Sequence, residues 1–295
     1  MAGINFPDSP FRTEELTDWL ELVAIKAADG NASAGDLERE LNRLGNSDRN
    51  DLLGKVFVEV DRREKAASKD AYPFERKDTC IQLKGAVRNY PAYVFCLALS
   101  YQKWTSRKGA PENPWLLFEE LACYSAKNYL GGEAFIFGTS SRTGTKVNKR
   151  FEASINTLAK KLREGHSFRP QRTFSAKDSK LDVVAWKGFA DARPGQIILF
   201  GQCAAGRNWA SKLNELIPED FWDQWMARSK VSAPLRSVFI PHRLFEDDEW
   251  ERHARSARLL FDRCRLVSFA HKETARGKFA ERLLQCCRTE WNLKV

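Results

Sequence analysis

The sequence predicts an α/β protein, in which a mixed β-sheet is flanked by helices and is preceded by a helical N-terminal domain. Up to about residue 104, apolar residues recur at helical spacing; after residue 114, helical segments alternate with short apolar runs of strand length. Between them TSRKGAPENP, residues 105–114, combines Pro, Gly, Ser and charge without periodicity. We therefore expect a helical domain at 1–105 and a second domain at 106–295.

The N-terminal part contains four helical segments. The first places Ser9 and Pro10 at the N-cap and first-turn positions, and apolar Leu16, Leu20 and Val23 follow at helical spacing. The others are SAGDLERELNRLG, RNDLLGKVFVEVDRREKAAS and YPAYVFCLALSYQKW. Spacing of this kind is typical of amphipathic or buried helices.

The second part alternates between the two kinds of element. Helices are predicted for NPWLLFEELACYSAKNYLGG, KRFEASINTLAKKLREG, NWASKLNELIPEDFWDQWM and KFAERLLQCCRTEW. Strands are predicted for EAFIFGTSS, for two segments around the turn GFADARPG, and for LRSVFIPH and CRLVSFA. Such alternation favours a mixed sheet covered by helices.

The predicted hairpin raises the first functional question. If Val183 to Lys187 pairs antiparallel with Gln196 to Gly201, a register joining Lys187 to Ile197 also sets Asp182 opposite Gln202. Directly opposed side chains have Cβ atoms about 5 Å apart, so one Mg²⁺ can take an oxygen from each. Alternatively, Asp182 is a strand-entry residue and Gln202 an exposed strand end.

The order of these elements carries a family resemblance. Phe118 and Glu119 form an FE pair on a helix, Asp178 and Asp182 stand at D-x-x-x-D positions, and Gln202 ends the next strand. Over residues 114–245 the chain resembles the PD-(D/E)XK nuclease superfamily, in particular the Mrr-like restriction endonucleases. SKL stands where that group has glycines. The resemblance implies a restriction-endonuclease-like core, metal-dependent DNA endonuclease activity and a role in defence against foreign DNA.

The chain departs from the superfamily pattern at the position of the motif lysine. Ala204 occupies its position, two residues after Gln202. Lys180, Arg207 and Lys212 are possible replacements for this cation, and we favour Lys212, followed by Arg207. Each of them is alternatively a solvated surface charge. Lys187 is too distant, because five extended residues span about 16 Å.

The resemblance also implies the metal ligands. Asp182, the Gln202 side-chain carbonyl and the following backbone carbonyl would hold Mg²⁺ or Mn²⁺, and Glu119 would act through a second metal or a bridging water. Glu120 or Glu133 would be able to replace Glu119. The predicted catalytic set is Glu119, Asp182, Gln202 and Lys212. The alternative is an inactive nuclease-fold protein that binds DNA as a scaffold subunit, which Ala204 favours.

The charge distribution is compatible with a nucleic-acid partner and, alternatively, with a solvated basic face. The formal net charge is +9, and basic residues concentrate between positions 142 and 180. The predicted DNA-binding residues are Arg142, Lys146, Lys149, Arg150, Arg169, Arg172, Lys180 and Arg207. Since double-strand cleavage requires two active sites, a homo-oligomer or membership of a defence complex is expected.

Several other classes are disfavoured. The sequence has no run of about 18 apolar residues and its start does not resemble a signal peptide, so we expect a cytoplasmic protein without membrane spans. The seven cysteines include no CxxC pair and the four histidines are scattered, which argues against zinc. GTSSRTGTK lacks P-loop spacing, and no GxSxG motif occurs.

Overall fold

The structure is a computed structural model of the chain, and it describes residues 4–45, 49–101, 112–137, 147–170 and 180–293. At residue 49 and at residues 147–150 it describes the backbone only. The helices are α1 Thr13–Lys26, α2 Ala34–Arg43, α3 Arg49–Ala67, α4 Pro91–Tyr101, α5 Pro114–Leu130, α6 Val147–Leu162, α7 Pro218–Trp225, α8 Asp247–Ala257, α9 Arg263–Thr274 and α10 Lys278–Trp291. The strands are β1 Asn31–Ser33, β2 Phe74–Lys77, β3 Cys80–Leu83, β4 Glu133–Ile136, β5 Val183–Lys187, β6 Ile197–Cys203, β7 Leu235–Phe239 and β8 Leu259–Phe261.

The chain divides into two compact units. The first consists of Met1–Leu117, Pro241–Trp250 and Asp262–Val295, and the second of Phe118–Ile240 and Glu251–Phe261. The sequence pattern indicates a single boundary at residue 105. The structure instead groups the C-terminal helices α9 and α10 with the N-terminal part, where α10 packs against α4.

The first unit is not entirely helical. It contains a small antiparallel sheet with strand order β1-β3-β2, which the sequence pattern does not predict because its strands have only three or four residues. Helix α1 begins at Thr13 instead of the predicted Ser9 and Pro10, and Arg12 occupies its N-cap. Helix α2 begins with a capping box, in which Ser33 and Asp36 bond each other's backbone N–H groups.

A buried ionic cluster holds this unit together. The Arg63 guanidinium lies 2.7 Å from Asp18, 3.0 Å from Glu21 and 2.8 Å from Glu59. Arg263 binds Asp18 from α9, again at 2.7 Å. Each buried charge thus has a partner, which offsets the large cost of removing it from water.

The second unit is built on the predicted mixed sheet. Its strand order is β4-β5-β6-β7-β8; the first two pairings are antiparallel and the last two parallel. The β5/β6 register joins Lys187 to Ile197 as predicted. On one face Val184 and Phe200 belong to a core shared with Phe151 and Ile155 of α6 and Trp222 of α7.

Two local predictions were wrong. CRLVSFA forms part of α9 rather than a strand, because Asp262 caps a helix there by accepting a hydrogen bond from Arg265 N. The neighbouring strand is β8, which the sequence pattern does not indicate. The long helix predicted from residue 208 is divided into a 3-10 turn, Trp209–Lys212, and α7, which begins at Pro218.

Within the described residues, no helix combines the length and apolar character needed to cross a bilayer.

Candidate functional site

Asp182 lies directly before β5 and continues its pairing by one residue. Its N–H donates to Gly201 O at 2.9 Å, and its carbonyl accepts from Phe137 N at 2.8 Å. Its carboxylate Oδ2 accepts a hydrogen bond from Cys203 N at 2.7 Å. The backbone on both sides therefore holds Asp182 opposite Gln202, and the carboxylate is tied to the end of β6.

Gln202 is buried at the end of β6, with 4% of its surface exposed. Its amide Nε2 donates to Glu215 Oε2 at 2.9 Å. Because an ionised carboxylate only accepts hydrogen bonds, this contact fixes which end of the amide faces Glu215. The carbonyl Oε1 is consequently directed elsewhere, and it is buried without a hydrogen-bond partner in the described part of the chain.

An unpartnered buried carbonyl is unfavourable unless a ligand or water satisfies it. Oxygen donors of this kind, a carboxylate and an amide carbonyl, are those that Mg²⁺ and Mn²⁺ prefer. Asp182 and Gln202 therefore supply two oxygen donors of the kind that such an ion prefers, from opposed positions of adjacent strands. No group of three or more His, Cys, Asp and Glu side chains suited to a metal ion occurs among the described residues.

Helix α5, which carries Glu119, packs on the face of the sheet opposite Asp182 and Gln202. Strand alternation places Asp182 and Gln202 on the face of Val184 and Phe200, which α6 and α7 cover. Helix α5 contacts the opposite face, where Tyr129 packs on Phe261 with ring centroids 5.1 Å apart.

Glu119 is buried on α5. Its charge affects the pKa of the Cys203 thiol at the end of β6. Burial, and then the charges of Asp182 and Glu119, raise the pKa of the Cys203 thiol well above its usual value. Both carboxylates thus lie near Cys203, although only Asp182 shares a face with Gln202. The raised pKa keeps the thiol protonated at neutral pH, which argues against a nucleophilic cysteine.

The structure excludes one replacement for Glu119. Glu133 pairs with Trp186, whereas the Asp182 end of this ladder pairs Ile136 with Val183. Glu133 therefore lies four strand positions from Phe137, the residue opposite Asp182, which corresponds to about 13 Å along the strand. Glu120 lies on α5 next to Glu119 and stays a possible substitute.

The candidate replacements for the motif lysine differ in their position relative to Gln202. Ala204, at the motif lysine position, is fully buried. Lys180 Nζ lies 3.9 Å from Glu215 Oε2, the oxygen that Gln202 also contacts. Lys212 ends the 3-10 turn, and its backbone carbonyl accepts from Glu215 N at 3.1 Å. Arg207 is exposed just before this turn.

Glu215 is the residue that the sequence pattern does not reveal. It links Gln202, Lys180 and the backbone of Lys212. Neither strand alternation nor a motif indicates it, because it lies in a connecting segment 13 residues after Gln202. Only the folded chain brings this carboxylate to the end of β6.

The predicted DNA-binding residues are only partly visible. Arg142, Lys146 and Arg172 lie outside the described residues, as does Asp178 of the D-x-x-x-D pair. Lys149 and Arg150 belong to α6, with only their backbone described. The Arg169 side chain donates to the Asp223 carbonyl of α7. The acceptor is a neutral carbonyl, whereas the Asp223 carboxylate accepts from Lys230 Nζ at 2.8 Å.

Comparison with protein-family models, with curated proteins and with solved structures gave no match to this chain.

Proposed function

We propose that this protein is a metal-dependent DNA endonuclease whose site is formed by Asp182 and Gln202. The observation that carries the proposal is the buried Gln202 Oε1, which has no partner in the described residues and lies on the strand position opposite Asp182. A helix, an apolar strand, an Asp-led strand and a strand ending near Gln202 follow one another as α5, β4, β5 and β6, with α6 inserted between β4 and β5, and this order supports a restriction-endonuclease-like core.

Asp182 and Gln202 would hold Mg²⁺ or Mn²⁺ through one carboxylate and one amide oxygen. When bound, such an ion activates a water and stabilises charge that develops on the phosphoryl oxygens. With only one direct carboxylate, this site attracts a divalent cation more weakly than a site with two. Glu119 would act from the other side of Cys203, through a bridging water or a second ion.

The other residues of the chain would bind and orient the DNA. Lys212 is our candidate for the cation that replaces the motif lysine, and Lys180 is the second because of its position beside Glu215. The basic residues between positions 142 and 180, together with Arg207, would contact the phosphate backbone. The substrate would thus be recognised mainly by its charge and shape.

Defence against foreign DNA is the biological setting that the resemblance supports. In that setting the protein would act in the cytoplasm, as a homo-oligomer or within a larger defence complex. Two copies would supply one active site for each strand of a duplex.

One observation favours a second function. Ala204 is fully buried where the motif lysine is expected, so the site lacks the cation that the superfamily pattern provides. The alternative is a nuclease-fold scaffold subunit that binds DNA without cleaving it. The two proposals differ in metal-dependent cleavage and share salt-sensitive DNA binding.

The test is incubation of the protein with supercoiled plasmid and with single-stranded DNA, in Mg²⁺, in Mn²⁺ and in EDTA. Asp182→Asn and Gln202→Met should abolish cleavage, because the first removes the one carboxylate charge among the direct ligands and the second removes the amide oxygen, while DNA binding persists. The matched control is Asp191→Asn, at an exposed aspartate in the β5–β6 turn, and it should cleave normally. Cleavage by Asp182→Asn at the wild-type rate would exclude this site. Binding without cleavage in every metal would support the scaffold.

A further inference from the structure

Glu215 lies in the segment before α7 and contacts the proposed metal site without belonging to its ligands. We propose that Glu215 is a positioning residue, which holds the Gln202 amide so that its carbonyl oxygen, and not its NH₂ group, is presented to the metal. This inference rests on the proposed function, because it assigns a role at the same site.

The argument begins with the symmetry of the Gln202 side chain. The amide oxygen and nitrogen are nearly equal in size, so rotation about the last bond exchanges a metal ligand for a hydrogen-bond donor. Only the oxygen is able to bind a cation. Glu215 Oε2 accepts from Gln202 Nε2 at 2.9 Å, and this bond selects the orientation with Oε1 directed away from Glu215.

Glu215 is itself held in place from two sides. Its backbone N–H donates to Lys212 O at 3.1 Å, and the next residue, Leu216, is buried in the core beside α6 and α7. Lys180 Nζ lies 3.9 Å from the oxygen that bonds Gln202. The fixed backbone of Glu215 and its ion pair with Lys180 therefore hold the carboxylate beside Gln202, and supporting contacts of this kind are how residues outside a ligand set tune metal affinity.

The experiment measures Mn²⁺ binding to the full chain in the absence of DNA, by the electron paramagnetic resonance signal of free Mn²⁺. Glu215→Ala should weaken binding by about 10-fold or more, the usual effect of losing such a supporting hydrogen bond. Glu215→Gln should bind much more tightly than Glu215→Ala, because its amide oxygen still accepts from Gln202. Glu152→Ala removes an exposed acid of α6 and should bind as wild type does.

The two glutamate variants separate a positioning role from a charge effect. If Glu215→Gln loses as much affinity as Glu215→Ala, the negative charge acts through space and the inference is wrong. Thermal unfolding in EDTA should show similar stability for Glu215→Ala and Glu215→Gln. Weaker Mn²⁺ binding by Glu215→Ala, together with near-normal binding by Glu215→Gln, is then not explained by a loss of folding.

Asp182→Asn and Gln202→Met distinguish this inference from the proposed function. If these two variants lose Mn²⁺ and Glu215→Ala does not, only the role of Glu215 is rejected. If wild-type protein binds no Mn²⁺, or if Asp182→Asn and Gln202→Met bind it normally, the proposed metal site fails and the inference fails with it.

Discussion

Replacing Asp182 with alanine should lower the free energy of unfolding even when no metal is present, whereas replacing it with asparagine should not. The carboxylate accepts a hydrogen bond from Cys203 N at 2.7 Å, at the end of the β5/β6 ladder. Alanine leaves this N–H without its acceptor, while asparagine offers an amide oxygen at a similar place.

The magnitude follows from this one contact. A hydrogen bond to a charged group contributes about 1.5–3 kcal/mol, and Asp182 is only half-buried, so water partly replaces it. We expect Asp182→Ala to cost about 1–2 kcal/mol, and Asp182→Asn less than about 1 kcal/mol because the bond becomes neutral instead of being lost. For a unit of this size the alanine variant should unfold roughly 2–8 °C lower.

The assay is urea unfolding in EDTA, combined with hydrogen exchange of peptides from β5 and β6. Alanine should speed exchange at the Cys203 amide, and asparagine should leave it close to wild type. Equal stability of the two variants would refute the structural role of the carboxylate. Loss of cleavage by Asp182→Ala would then be attributed to the missing metal ligand alone.

Two further predictions concern the cation and the buried ionic cluster. Lys212→Met should slow cleavage by about 100-fold or more without weakening Mn²⁺ binding, as expected for a group that stabilises transition-state charge. Lys187→Met, at the far end of β5, is the control, and a comparable loss in Lys180→Met but not in Lys212→Met would transfer the role to Lys180. Arg63→Met should lower the stability of the first unit by about 3–5 kcal/mol in urea unfolding, because three buried carboxylates lose a partner. Lys55→Met, which breaks the exposed pair with Asp51, should leave the free energy of unfolding nearly unchanged, and equal effects of the two substitutions would contradict this interpretation of the cluster.

The sequence by itself determined the features that depend on neighbouring residues. For antiparallel strands around the turn, the register that joins Lys187 to Ile197 also sets Asp182 opposite Gln202, and the structure has this register. Helices α5, α6 and α10 likewise follow from apolar spacing at three and four residues. These patterns involve residues within about 20 positions of one another. Over such a short length of chain, the backbone geometry restricts which arrangements of the residues are available.

Only the tertiary structure decided the features that depend on distant contacts. Residues 264–270 have an apolar pattern compatible with a strand, and the Asp262 cap and the packing of α9 on α3 and α4 select a helix. The approach of Glu215 to Gln202 depends on where Leu216 packs in the core, and the placement of Glu119 depends on how α5 packs on the face of Phe261. Local sequence does not determine these long-range contacts. The hydrophobic effect is non-directional, so which surfaces are buried against each other depends on the whole chain.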